Sequence, residues 1–349
     1  MPKGVVRRAL EGFQPYVPGE QPPDGQGWIK LNTNESPLPP SPRVIEAIKE
    51  AATDALRLYP SPTGAPAREA IARRFAVDKA QVALGNGADD LIEVCFRAFV
   101  DAGDRVAFPT PTYPLLEVLC RVHEAVASRH PTEEPHELPP SLGPDPAPLK
   151  FIVNPNSPTG ASFFFRDIEA AVAASTGVVV IDEAYVDFGP FNCLQLLKHH
   201  DNVLILRSFS KSYGLAGMRI GFALGNRGLI ERLDAVKDSY NVDRLAIAAA
   251  VAAIEDEAHH RAIVDTVMHG RDFLLERLPG LRFDLVAPSA NFVFCRPPKP
   301  ATEVVAALRE RKILVRHYDR GPIAGWIRIT VGTREQLRAL LDALKEILA

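Results

Sequence analysis

Apolar runs and amphipathic stretches alternate through the first two thirds of the chain. Apolar residues recur at helical spacing in VIEAIKEAAT (44–53), AREAIARRFA (67–76) and ADDLIEVCFRAFV (88–100). A single apolar stripe on a 3.6-residue period predicts three helices, the first entered from Pro42. Among them stand shorter runs: QVALGN (81–86), DRVAFP (104–109), LKFIVN (149–154), GVVVIDE (177–183) and NVLILRSFS (202–210). The last three are almost continuously apolar and rich in β-branched residues, as strands covered on both faces must be. Such alternation predicts an α/β architecture, a mainly parallel sheet sandwiched by helices. Each of these three runs ends in polar residues. Because ligands of open α/β sheets gather at the carboxyl ends of strands, Asn154–Gly160, Asp182–Tyr185 and Ser208–Lys211 are expected to converge on one crevice.

Helical periodicity dominates again from about 227 to 278, and LAIAAAVAAIEDEAHHRAIVDTVMHGRDFLLERL predicts one long helix joining two domains. Beyond it, strand NFVFCR, helix ATEVVAALRERK, strands ILVRH and WIRITV, and helix REQLRALLDALKEILA read as a smaller α+β domain. The first forty or so residues are rich in Pro, Gly and Asn around a strand-like WIKLN (28–32), and they read as an arm. The expected division is 1–45 for the arm and part of the small domain, 46–270 for the large domain and 271–349 for the small C-terminal domain. The proline-dense stretch 131–148 predicts a mobile surface connection, because prolines deny the backbone a hydrogen-bond ladder.

Composition narrows the function classes. The chain has 349 residues, more than one typical domain, with ordinary globular proportions. A formal charge of −3 and scattered basic residues leave no footprint for nucleic acid. Cys95, Cys120, Cys193 and Cys295 lie far apart with no metal-ligand spacing, so reduced core thiols, no metal site and a reducing compartment are expected. No run approaches 18 apolar residues and the basic N-terminus has no apolar segment behind it, so a cytoplasmic protein without membrane partners is expected.

The candidate chemistry lies at the strand ends. In SFSKSYGLAGMR (208–219), Lys211 follows a buried strand among Ser208, Ser210 and Arg219. Hydroxyls and a guanidinium beside an amine form an anion site next to a nucleophile, which suits a phosphorylated aldehyde cofactor. Asp182 ends a buried strand, where a carboxylate is costly unless a cation meets it; a cofactor's pyridine nitrogen is one such cation, a helix cap or ion pair the plainer alternative. Tyr185 follows three residues on. GNGADD (85–90) opens a helix with glycines and free amides, suited to a phosphate, and Asp90 breaks the dinucleotide-binding glycine pattern. Tyr113, after a strand, suits either core packing or stacking on a planar ring.

Nine segments in one order make the chain resemble the fold-type I pyridoxal-5′-phosphate (PLP) aminotransferases, and within them the histidinol-phosphate aminotransferase family: PYVPG (15–19), LNTNESP (31–37), LYPSPTG (58–64), GNGADD (85–90), PTYP (111–114), NPNSPTG (154–160), DEAYVDF (182–188), SFSKSYGLAGMRIGF (208–222) and WIRITVGTREQ (326–336). The resemblance implies that Lys211 is the Schiff-base lysine, that Asp182 partners the ring nitrogen and that Tyr185 donates to the ring hydroxyl oxygen. It implies a phosphate site of Ser208, Ser210, Arg219 and the Gly87–Ala88–Asp89 turn. It implies that Tyr59 reaches the phosphate in a neighbouring subunit, hence a homodimer with shared sites. Arg328 corresponds to the arginine that forks a substrate carboxylate, Tyr16 and Arg316 to residues around a substrate phosphate, and Asn34 to a substrate contact. Ser157 stands where the family usually has Asn against the ring hydroxyl, leaving Ser157 itself, Asn156 or Asn154 for that bond. The implied reaction is transamination between histidinol phosphate, a small-molecule amine, and 2-oxoglutarate, yielding glutamate. Aromatic aminotransferases and amino-acid-phosphate decarboxylases share the framework and stand as alternatives. A regulatory ligand-binding module needs a helix-turn-helix that no segment supplies.

Overall fold

The computed structural model describes residues 7–13, 15, 17–23 and 26–349, without the side chain of Arg8. In chain order the elements are β1 (Ile29–Leu31), α1 (Pro42–Ala51), α2 (Ala65–Phe75), β2 (Val82–Gly85), α3 (Ala88–Phe99), β3 (Arg105–Thr110), α4 (Leu115–Val122), β4 (Val126–Pro131), β5 (Leu149–Val153), α5 (Phe165–Ala174), β6 (Val178–Asp182), β7 (Val203–Ser208), β8 (Gly221–Gly225), α6 (Arg227–Val236), α7 (Arg244–Glu255), α8 (Glu257–Leu275), β9 (Asp284–Leu285), β10 (Phe292–Arg296), α9 (Ala301–Glu310), β11 (Ile313–Tyr318), β12 (Trp326–Thr330) and α10 (Arg334–Leu348). Pro42 enters α1 at a position where its missing N–H costs nothing, and the Ser41 hydroxyl accepts from Arg43.

Seven strands form the larger sheet in the order β2-β8-β7-β6-β5-β3-β4. All neighbours are parallel except β8, which runs antiparallel to both β2 and β7. Alternate strand residues enter opposite cores. Ile152, Val179, Ile181, Val203 and Ile205 pack toward α1, α2, α5 and α7. Phe151, Val180, Leu204 and Leu206 pack toward α3, α4 and α6. A sheet covered on both faces needs apolar residues at every position, which is why β5, β6 and β7 read as unbroken apolar runs.

A smaller sheet has the order β1-β11-β12-β10-β9. Here β1 pairs in parallel with β11, Ile29 opposite Ile313, and the remaining pairs are antiparallel. Leu274 of α8, Val304 and Leu308 of α9, and Leu337, Leu340 and Leu344 of α10 close its core.

Three expectations from the sequence need correction. The long helix expected over 245–278 is two helices, α7 and α8, with α6 a separate helix before them. Asp243 caps α7 by accepting from the Leu245 and Ala246 amides, and Asp256 both ends α7 and caps α8 through the His259 amide. Apolar spacing runs through these caps, so periodicity alone misses them. The connection at 131–148 is anchored to the sheet: Leu138, Leu142 and Ala147 are buried, and the Asp145 carboxylate accepts from Ser128 at 2.7 Å and from the Ala147 amide at 2.8 Å. Strands β4 and β8 were not foreseen, because VASRHP has no apolar run and GFALG follows directly on a loop motif.

One close approach carries the fold into the site. Gly221, opposite Ser208 on β7 and Gly85 on β2, leaves no room for a side chain. A Cβ there would stand 2.9 Å from the Ala88 amide nitrogen and 2.9 Å from the Arg207 carbonyl oxygen. Gly221→Ala is therefore expected to lower stability by about 1–3 kcal/mol, the usual cost of overpacking, read from the urea unfolding midpoint at unchanged slope.

Candidate active site

The carboxyl ends of β5, β6 and β7, the N-terminus of α3 and the edge of the small sheet face one cleft of about 500 Å³. Its walls include Ala88, Asp89, Tyr113, Ser157, Asp182, Tyr185, Ser208, Ser210, Lys211 and Arg219, with Asn34, Arg316 and Arg328 on the small-sheet side.

Asp182 is the last residue of β6 and only 5% exposed. Burial pushes its carboxyl up to about 7; Asp89 and Glu183 add to the rise, while the Ala184 amide and the Lys211 charge oppose it. This is a carboxylate waiting for a cation. Lys211 Nζ lies 5.5 Å from the centroid of the Tyr185 ring. The Tyr185 hydroxyl accepts from Asn34 Nδ2 at 2.9 Å, and its ring packs edge-on against Phe292.

The other end of the cleft is an anion cradle. Gly87 precedes α3 at φ +90°, and a Cβ there would come within 2.8 Å of Arg219 Nη2, so both conformation and contact demand glycine. Unpaired amides at the start of a helix attract anions. The Arg219 guanidinium stands over that helix mouth, 3.4 Å from Ser210 Oγ and 3.3 Å from Asp89. The Ser210 amide donates to Ser208 Oγ at 3.0 Å, and Tyr113 donates to Asp89 at 3.1 Å.

On the opposite wall two arginines face each other in register, Arg316 on β11 and Arg328 on β12. Arg328 donates to Ser157 Oγ at 3.3 Å and to the Asn32 carbonyl at 3.2 Å, while its buried Nε has no partner among the described residues. Arg316 donates to the Val17 carbonyl at 2.9 Å, tying the N-terminal arm to the cleft wall.

Some expected residues do not line the cleft. Asn156 is withdrawn from it: its amide donates to the Pro111 carbonyl and Thr159, and its oxygen accepts from Thr112. With both N–H groups spent it has nothing to offer a ring hydroxyl, whereas Ser157 faces the cleft. Asn154 does not line the cleft either: its oxygen accepts from Ser162 and the Phe163 amide, while its buried Nδ2 has no partner among the described residues. Asn34 holds Tyr185 and accepts from Thr330, so its side chain serves the wall besides facing the cleft. Tyr59 is 78% exposed and stacks on Tyr240 at 4.4 Å, outside the cleft. Tyr16 lies outside the described residues. Sequence reasoning missed Glu35, Gln21 and Tyr318, which line the cleft. Tyr318 shares a strand face with Arg316 by the period of two, a signal that was present; Glu35, paired with Lys30, carried none.

Comparison with known proteins bears on this arrangement. The family model "Aminotransferase class I and II" matches residues 26–344. The chain belongs to this family. It is 45% identical over 348 residues to the histidinol-phosphate aminotransferase of Aromatoleum aromaticum, covering 97% of this chain and 98% of that one. It is also 45% identical to histidinol-phosphate aminotransferase 1 of Bradyrhizobium diazoefficiens, covering 96% and 97%. Among solved structures, the histidinol-phosphate aminotransferase of Sinorhizobium meliloti in complex with pyridoxal-5′-phosphate superposes with a TM-score of 0.86 at 28% identity, over 91% of this chain and 90% of that one. As a member of this aminotransferase family the chain has the fold-type I α/β architecture expected from its sequence. Among the described residues no helix is long and apolar enough to cross a membrane, and no group of side chains could hold a metal ion.

The raised Asp182 carboxyl has a thermodynamic consequence. A carboxyl whose folded pKa lies near 7, against 3.8 for an ordinary aspartate, stabilises the fold while protonated, and that contribution is lost as pH rises from about 4 through 7. In ligand-free protein, Asp182→Asn is expected to leave the melting temperature nearly unchanged near pH 4 and to raise it at pH 8. A wild-type-like melting temperature at both pH values would mean that Asp182 already has a cationic partner.

Proposed function

We propose that this aminotransferase uses PLP to move the amino group of histidinol phosphate to 2-oxoglutarate, yielding imidazole-acetol phosphate and glutamate, a step of histidine biosynthesis. The observation that carries the reading is the meeting of Lys211, Asp182 and Tyr185 in one cleft, between an anion cradle at α3 and paired arginines on the facing wall.

The donor set fits the cofactor. The Gly87–Ala88–Asp89 turn, Ser208, Ser210 and Arg219 offer amides, hydroxyls and a guanidinium to its phosphate, and the deeply buried Asp182 offers its ring nitrogen a carboxylate. When bound, the cofactor supplies an electron sink for the pair left by the departing α-proton. Asp182 keeps the proton on the ring nitrogen, and the cation in turn holds the carboxylate ionised. Tyr185, oriented by Asn34, donates to the ring oxygen, with Ser157 as the second hydroxyl in reach of that wall. Tyr113 covers the ring face. Lys211 Nζ would hold the aldehyde carbon and, once displaced by the substrate amine, would take the α-proton and return it to that same former aldehyde carbon, across the nitrogen.

Arg328 forks the carboxylate of glutamate or 2-oxoglutarate, and its partnerless Nε is one donor waiting for it. Histidinol phosphate has no carboxylate, so Arg316, one strand away, takes its phosphate, with Tyr16 as the arm's contribution. Exposed Leu56, Leu58 and Tyr59 support a homodimer in which Tyr59 reaches the partner's cofactor phosphate. Four buried cysteines without a disulfide support a reducing, cytoplasmic setting. The large domain takes 46–270 in this reading, and 1–45 with 271–349 make up the arm and small domain.

Borohydride reduction of the PLP-loaded protein is expected to fix the label on Lys211, and Lys211→Ala to abolish turnover. A coupled assay with histidinol phosphate, phenylalanine and tyrosine tests the amine, and carbon dioxide in place of glutamate would point to a decarboxylase. Arg316→Ala is expected to raise KM for histidinol phosphate about 10- to 150-fold, the worth of a charge-assisted bond of about 1.5–3 kcal/mol, with a much smaller change for glutamate. Equal losses for both substrates would assign the phosphate grip elsewhere.

A further inference from the structure

Behind the cleft lies a charged network, buried at Glu183, Arg207 and Ser212 and half-buried at Asp187 and His260, that takes no part in the chemistry described above. Asp187 accepts from the Ser212 hydroxyl and lies 3.2 Å from His260 Nε2 and 3.8 Å from Arg207 Nη1. Arg207 forks Glu183 Oε2 at 3.0 and 2.8 Å, and Glu183 Oε1 accepts from the Cys193 amide. His260, on α8, stacks on Tyr213 at 4.3 Å. None of these side chains lines the cleft. Yet Glu183 follows Asp182, Arg207 precedes Ser208, Ser212 follows Lys211 and Asp187 comes two residues after Tyr185.

We infer that Asp187 is a positioning residue, which fixes the Lys211 backbone against Asp182 and Tyr185 by holding Ser212, Arg207 and His260 on one carboxylate. A lysine amine on a four-carbon stem is placed only as well as its backbone, and Ser212 is the anchor nearest that backbone. Stability alone does not account for the network, since buried ion pairs often contribute no more than apolar residues of the same volume. Charge at Asp187 persists at working pH: burial pushes its carboxyl up, but the His260 bond and the Arg207 charge outweigh it and bring it down to about 2. Of the segments the network joins, α8 also packs into the small-sheet core, so the anchor ties the segment of Lys211 to a helix that supports that sheet.

The inference rests on PLP being the cofactor, and the test separates the two. Covalent attachment of added PLP to Lys211 in wild-type protein, followed by absorbance and borohydride trapping, tests the cofactor; the ratio of variant to wild-type rate tests the network. Since a misplacement of about 1 Å costs about 100-fold, Asp187→Asn is expected to slow attachment and lower kcat roughly 10- to 100-fold, with KM for the amine within about twofold. Ser212→Ala is expected to lose less in the same two quantities, and Ser212→Thr, which keeps the hydroxyl, to recover them. Asp234→Asn is the control: it breaks the Arg68–Asp234 fork, a charge pair between α2 and α6 away from the cleft, and is expected to lower the melting temperature with both rates unchanged. If Asp187→Asn behaves like that control, the network is structural and the inference falls. Should Asp187→Asn not fold, Ser212→Ala with wild-type attachment and kcat overturns it equally.

Discussion

A carboxylate buried at the end of β6 is the constraint on which the rest of this site depends. In isolation Asp182 resists ionisation, because burial removes the water that would stabilise its charge. Among the described residues no arginine or lysine stands against it at hydrogen-bonding distance, and its carboxylate accepts from the Ala184 amide at 3.0 Å. Such a position disfavours the empty protein and favours whatever cation enters the cleft. Part of the binding energy of a protonated ring is thus already present as an unmet electrostatic demand. Its neighbour Glu183 shows the opposite solution in the same strand-end environment, where Arg207 meets the charge directly.

The two ends of the cleft work by different physics. At α3, binding comes from backbone amides, which need Gly87 at positive φ and a bare Gly221 so that three segments can crowd together. On the small sheet, binding comes from two guanidinium groups placed opposite each other by strand register. Backbone donors survive most substitutions, proline excepted, whereas side-chain donors such as Arg219, Arg316 and Arg328 can be exchanged one at a time. In the proposed reading, part of the cofactor's phosphate grip is therefore built into the backbone, while amine selectivity rests on a few replaceable side chains.

What the sequence revealed follows the same division. Strands β5, β6 and β7 were legible because burial on both faces leaves an unbroken apolar run, and Asp182, Ser208 and Lys211 were legible because polar residues end such runs. Helix caps at Asp243 and Asp256 were not, since an acidic residue within a helical period is ambiguous between a cap and a solvated face. The prolines of 131–148 misled for a related reason: they forbid a ladder, but they do not forbid anchoring by Asp145 and Leu142. Asn156 sits in a recognisable motif, yet its role turns on where its amide hydrogens go, and that depends on Pro111 and Thr112, far away in sequence. The Asp187 network was hidden for the same reason. Its members sit beside the motif residues, and their partners come from four separate segments.

Asn34 shows why the N-terminal stretch belongs to the site. It adopts φ +58°, a conformation asparagine tolerates better than most residues. From there its amide donates to Tyr185 on the cofactor side, its own N–H donates to Thr330 and its oxygen accepts from that hydroxyl on β12, and its carbonyl accepts from Asn291. One residue thus joins the strand end that bears Asp182 to the strand that bears Arg328. Because β1 is itself a strand of the small sheet, paired with β11, this junction cannot move without the sheet that carries both arginines. The spacing between Tyr185 and the strand that bears Arg328 is therefore set by short polar contacts through Asn34. A change in small-sheet packing therefore has a direct polar route to Tyr185, through Thr330 and Asn34.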